Sequence, residues 1–164
     1  DAAQPNFRPA DRATRAEFMK LIVEVNGGIL DEAPLKPSFD DVRPGEWFYA
    51  YLEEAARETW LQGDGGCIGT HPCTARPAAA ITRAEAAVLV RRAFGKKRMG
   101  RAPAFSDNPA GEWFTDAVQT AADHCILRGD DGARTVRPHD PVNRAEMVVM
   151  LSRVDGGGEY PRCL

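Results

Sequence analysis

The chain has 164 residues, with 24 acidic against 21 basic side chains and a net charge of −3. That balance argues against the basic face or stripe nucleic acid needs, and no apolar run is long enough to span a bilayer. The length suits one domain with a real core or a compact array of repeats. No signal peptide is recognisable, so the chain is read as either cytosolic or processed, and the start at Asp1 fits processing or trimming.

In chain order, the first predicted element is a helix opened by Ala13-Thr14-Arg15-Ala16-Glu17, with Arg8-Pro9 upstream. The phrase returns as Ile81-Thr82-Arg83-Ala84-Glu85 after Arg76-Pro77, and as Val142-Asn143-Arg144-Ala145-Glu146 after Arg137-Pro138. Six positions separate Pro from motif Arg each time, so one supersecondary unit recurs. Thr14, Thr82 and Asn143 are N-cap types, and Glu17, Glu85 and Glu146 follow at the third position, which is a capping box. Ala13, Ile81 and Val142 suit hydrophobic staples onto Phe18, Ala86 and Met147. Helical spacing then predicts buried stripes at Phe18, Leu21, Ile22, Val25; at Ala86, Leu89, Val90, Ala93; and at Met147, Met150, Leu151, Val154.

A second block precedes copies two and three, with Phe39, Asp41, Trp47, Ala55, Ala56 and Gly63 matching Phe105, Asp107, Trp113, Ala121, Ala122 and Gly129 at an offset of 66. It predicts helices near 46–60 and 112–126. Gly63 and Gly129 are read as left-handed residues ending them. Copy two carries an insertion at 64–75 with Cys67, His71 and Cys73. Cys67 and Cys73 suit a local disulfide and Cys125 with Cys163 a second, although four cysteines allow three pairings. A metal site at Cys67, His71 and Cys73 is the alternative, but it lacks a fourth ligand and zinc spacing. The overall expectation is no metal and no cofactor.

Phe-x-Asp, Trp, an Ala-rich helix, a Gly turn, Arg-Pro and Thr-Arg-Ala-Glu, in this order, resemble S-layer homology modules. The resemblance implies a mainly α fold, a pseudo-threefold bundle of helix-loop-helix modules with long loops. It divides the chain into the second half of module 1 at 1–30, module 2 at 38–98 with its insertion, module 3 at 104–155 and a tail at 156–164. It implies a non-catalytic, extracellular, envelope or cell-surface module that anchors a protein by binding cell-wall polysaccharide, a pyruvylated secondary wall polymer, or modified peptidoglycan. Carried over, Arg15, Arg83 and Arg144 are the main glycan-binding residues, and Trp47, Trp113, Gly63 and Gly129 shape groove walls.

Read from the residues alone, the motif Arg sits at the first helical position, where the macrodipole disfavours a cation. Its partner is either an internal carboxylate (Asp41, Asp107 or a motif Glu) or an external anion held with the aid of helix N–H groups. Trp47 and Trp113 lean towards packing with partial exposure, although an aromatic face also suits sugar. His71, His124 and His139 form no nucleophile motif, so an enzyme ranks third. The second reading is a structural or assembly subunit. It rests on a first module expected to lack its Trp helix, the gap being filled by residues 1–7, the tail, a protein partner or a second copy.

Overall fold

A computed structural model describes residues 6–28, 30, 34–130 and 132–155. Among them are five α-helices: α1 Arg15–Val25, α2 Tyr49–Arg57, α3 Arg83–Ala93, α4 Thr115–Asp123 and α5 Arg144–Asp155, with one 3₁₀ turn at Asp64–Gly66. The protein is mainly helical and has no sheet among the described residues. The extended pairings among the described residues are isolated bridges, Arg12 with Asn143, Thr14 with Ala80 and Thr82 with Pro141.

Those bridges mark the centre of the molecule. The Ala13 N–H donates to Val142 O at 2.9 Å, the Val142 N–H to Ile81 O at 2.9 Å, and the Ile81 N–H to Ala13 O at 3.0 Å. Three equivalent residues thereby close a ring of backbone hydrogen bonds, and their side chains are fully buried. Each repeat's helix start is fixed to another's, and buried amides are left with partners.

α1 packs on α2 and α3 on α4, and α1 also touches α3 and α5. Phe18, Phe39, Phe114, Leu52, Val118, Ile81 and Ile126 fill the core, each side chain contributing roughly 1.5–3 kcal/mol by burial. The paired alanines Ala55-Ala56 and Ala121-Ala122 are buried on α2 and α4, which lets the paired helices approach closely. These two helices are shorter than the periodicity suggests.

Two details differ from the sequence reading. The buried stripe of α1 is Arg15, Ala16, Phe18, Met19, Ile22 and Val23, while Val25 at the helix end is exposed and Leu21 half-buried. The glycines do not end helices. The left-handed residues after α2 and α4 are Thr59, φ 62°, and Cys125, φ 60°. The Trp60 N–H donates to Ala55 O at 2.9 Å and the Thr59 N–H to Ala56 O at 3.0 Å, while Ile126 and Cys125 do the same to Ala121 and Ala122, two Schellman ends.

Gly63 does take a positive φ, 70°, but beyond the helix end, Gly129 does not, and both glycines serve close approach. A Cβ on Gly63 would lie 2.5 Å from Cys67 Sγ and 2.6 Å from Cys73 Sγ; on Gly129 it would lie 2.5 Å from the Phe105 ring and 2.7 Å from Thr135 O.

Candidate inter-repeat grooves

The helix starts come first, because they decide which polar groups a ligand can use. Thr14 Oγ1 accepts from the Glu17 N–H and Glu17 accepts from the Thr14 N–H; Thr82 with Glu85 and Asn143 with Glu146 repeat the exchange. The next donors are occupied too. Arg15 N–H reaches Ala79 O at 2.9 Å and Ala16 N–H reaches Pro77 O at 3.0 Å; α3 makes the same bonds to Asp140 and Pro138, and α5 to Asp11 and Pro9. The expectation of free helix N–H groups beside the Arg is therefore overturned, because the Arg-Pro turn of another repeat takes them.

The motif arginines point inward. Arg15 Nη1 pairs with Glu85 at 2.9 Å, Arg83 Nη1 with Glu146 at 3.2 Å, and Arg144 Nη1 with Glu17. Each Arg thus meets the Glu of the following repeat, and the third returns to the first. Nε donates to a backbone carbonyl in every copy: Ala75, Val136 and Phe7. Burial pushes the Arg15 and Arg83 pKa down and the facing Glu pushes each back up, and a guanidinium stays charged regardless. Glu85 feels burial first, which opposes ionisation; the Thr82 N–H, Arg15 and Arg76 outweigh it and hold its carboxyl below the usual range.

Asp41 and Asp107, offered above as partners for the motif Arg, have another task. Asp41 accepts the N–H groups of Ala75 and Arg76 at 2.8 and 2.7 Å, and Asp107 those of Val136 and Arg137 at 2.8 and 2.7 Å. These bonds hold the Arg-Pro turns, whose Arg76 and Arg137 sit at φ 52° and 48°, with Arg8 at 51°. Left-handed backbone at a non-glycine residue costs roughly 1–2 kcal/mol, so each turn is over-determined by its surroundings.

Among the described residues, two grooves open between repeats. The larger, about 580 Å³, has Arg15, Glu85, Arg76, Asp64, Arg92 and Trp113 among its walls, with the loop 61–66 along one side. Arg76 spans it, reaching Asp64 at 2.8 Å and Glu85 at 2.6 Å. The smaller, about 390 Å³, has Arg83, Glu146, Arg137, Asp130, Arg128 and Arg153, with Gly129 in its loop. Arginines outnumber carboxylates in both linings, three to two and four to two, in a chain that is negative overall. Such a groove attracts an acidic ligand, and guanidinium forks suit a carboxylate.

The structure thus brings Arg15, Gly63 and Trp113 together, and Arg83 with Gly129. Trp47 lines neither groove, and Arg144 lies against Phe7, its guanidinium 5.3 Å from the ring centroid. Both tryptophans are more exposed than a packing role implies, Trp47 at 57% and Trp113 at 64%, each edge-on to the following Phe. Arg76, Arg137, Arg92 and Arg153 were missed by sequence reasoning. The recurrent Arg-Pro pair served there only as a register mark.

Cys67 and Cys73 form a disulfide that closes the inserted loop behind Gly63. Their thiols are therefore not available to a metal, and His71 Nδ1 lies 3.1 Å from Asp40. Cys125 is buried and not free, and its expected partner Cys163 lies outside the described residues. Neither groove is lined by His, Ser or Cys, and the carboxylates of the larger one are engaged by arginine.

Repeated helices that share clefts define the class, a helical tandem-repeat domain with grooves between its repeats. Residues 104–148 match the S-layer homology domain. S-layer homology domains anchor proteins to the cell wall at the cell surface, and among the described residues no helix is long and apolar enough to cross a membrane.

Similar proteins include an amylopullulanase of Thermoanaerobacterium thermosulfurigenes, 29% identical over 88% of this chain and 8% of the relative. An exoglucanase XynX of Acetivibrio thermocellus is 25% identical over 88% of this chain and 13% of the relative. An endo-1,4-beta-xylanase A of Thermoanaerobacterium saccharolyticum is 27% identical over 67% and 9%. The chain spans about a tenth of the length of these curated relatives.

Proposed function

We propose that the chain is a non-catalytic wall-binding module whose repeats surround a pseudo-threefold axis and whose grooves take an acidic sugar of a wall glycan. A pyruvylated secondary wall polymer or a modified peptidoglycan is the ligand class. The observation that carries this reading is the larger groove, where Arg15, Arg76 and Arg92 meet an exposed Trp113 face. A carboxylate on a pyranose ring would lie against the guanidinium groups while the ring's apolar face lies on the indole. The cyclic Arg-to-Glu exchange and the ring of Ala13, Ile81 and Val142 support the threefold arrangement.

The relatives are named for polysaccharide-degrading activities, and the small share of their length that this chain covers supports placing catalysis elsewhere in them. Association with protein is the second reading, and one observation favours it. Val148 on α5 is 43% exposed, whereas Met19 and Ala87 at the same repeat position are fully buried.

Calorimetric titration of the chain with purified wall polymer, before and after mild-acid removal of its ketal pyruvate, tests the proposal. Binding should weaken at least tenfold, about 1.4 kcal/mol, on pyruvate removal. Equal binding by both polymers overturns the acidic-sugar assignment. No binding, together with concentration-dependent self-association in sedimentation, favours the second reading.

A further inference from the structure

The segment 91–101, which ends α3 and begins the linker to α4, has six cations and no acidic residue: Arg91, Arg92, Lys96, Lys97, Arg98 and Arg101. The other 153 residues carry 15 basic against 24 acidic side chains, so this stretch opposes the charge of the rest. The fold does not require it. The corresponding stretch of copy one, 23–33, has three acidic residues and no cation, and α1 has no basic residue in its last turn. Complementing the α3 dipole therefore does not explain six charges.

The strap is also held rigid. The buried carboxylate of Asp123 accepts the N–H groups of Met99, Gly100, Arg101 and Ala102 at 2.8, 3.0, 2.9 and 2.8 Å, and Arg98 lies 2.9 Å from it. Lys96 caps Val154 O at 3.0 Å. What remains is exposed: Arg91, Lys97 and Arg101 make no ion pair among the described residues. At its near end Arg92 lines the larger groove, so the strap begins at that groove's rim.

We propose that the 91–101 strap is a second binding surface, one that takes the phosphate or carboxylate groups repeated along an extended anionic polymer. Fixed cations on an anchored loop bind such a chain through charge density alone, with no single pocket. A lipid surface fits less well, because Met99 is the only exposed large apolar side chain on the strap, too little to insert. The proposal does not depend on the groove reading, since it needs no particular sugar.

Binding of the full chain to long-chain polyphosphate and to polygalacturonate, with neutral dextran as control, tests it. The wild type should bind both polyanions, and the affinity should fall about tenfold or more between roughly 50 and 200 mM salt. The triple variant Arg91→Gln, Lys97→Gln, Arg101→Gln should lose about tenfold at the lower salt, with an unchanged thermal transition. Three results overturn the proposal. They are wild-type binding by the triple variant; an equal loss in a control variant with Lys20→Gln, Lys36→Gln and Arg43→Gln; and binding to phosphatidylglycerol vesicles without binding to either polymer.

Discussion

The motif Arg shows why a ligand-like residue must first be tested as a structural one. Arg15 and Glu85 form a pair nearly shut off from water, and removing one partner of such a pair strands the other. Arg15→Ala should cost about 3–5 kcal/mol in urea denaturation, whereas Arg144→Ala, whose pair is more exposed, should cost about 1–2 kcal/mol. Loss of glycan binding in Arg15→Ala would therefore not by itself identify a ligand contact. Acid should act on the same pair. Glu85 is held below its ordinary 4.5 in the fold, so its contribution is complete at neutral pH and is lost as pH falls below 4.5 towards the folded value. Glu85→Gln should flatten the fall in stability between roughly pH 5 and pH 3, followed by circular dichroism. The capping partners were legible in the sequence because they lie three residues apart. A motif Glu was among the partners the sequence offered for Arg15, but which copy supplies it was not legible, because spacing along a chain does not encode which repeats become neighbours.

At the scale of elements, helix starts were readable and helix ends were not. Ncap and third-position side chains announce a start by their chemistry. The ends after α2 and α4 place Thr59 and Cys125 in the left-handed region, which no propensity favours, while the nearby glycines are needed for contact with the disulfide and with Phe105. Thr59→Gly should therefore raise stability by about 1 kcal/mol, seen as a higher midpoint in thermal unfolding. An unchanged or lower midpoint would contradict this reading of the helix end. The linkers behaved similarly: the balanced net charge concealed the run at 91–101, which stands out only once α3 is seen to end there.

For the whole molecule, a 66-residue offset and a thrice-repeated phrase were enough to specify helical repeats. They were not enough to specify a groove. The larger groove draws Arg15 from copy one, Asp64, Arg76 and Glu85 from copy two and Trp113 from copy three, so its composition follows only from closure of the ring. That closure also makes the two tryptophans unequal, although they occupy one position of the repeat. Trp113 lines the larger groove and Trp47 lines neither. Both are mostly exposed, so replacing either should leave the fold intact. The most direct measurement is the affinity of purified wall polymer for Trp113→Ala and Trp47→Ala in parallel titrations. The groove account expects a loss of about tenfold or more for Trp113→Ala and less than about twofold for Trp47→Ala. Equal losses, or a loss confined to Trp47→Ala, would contradict it.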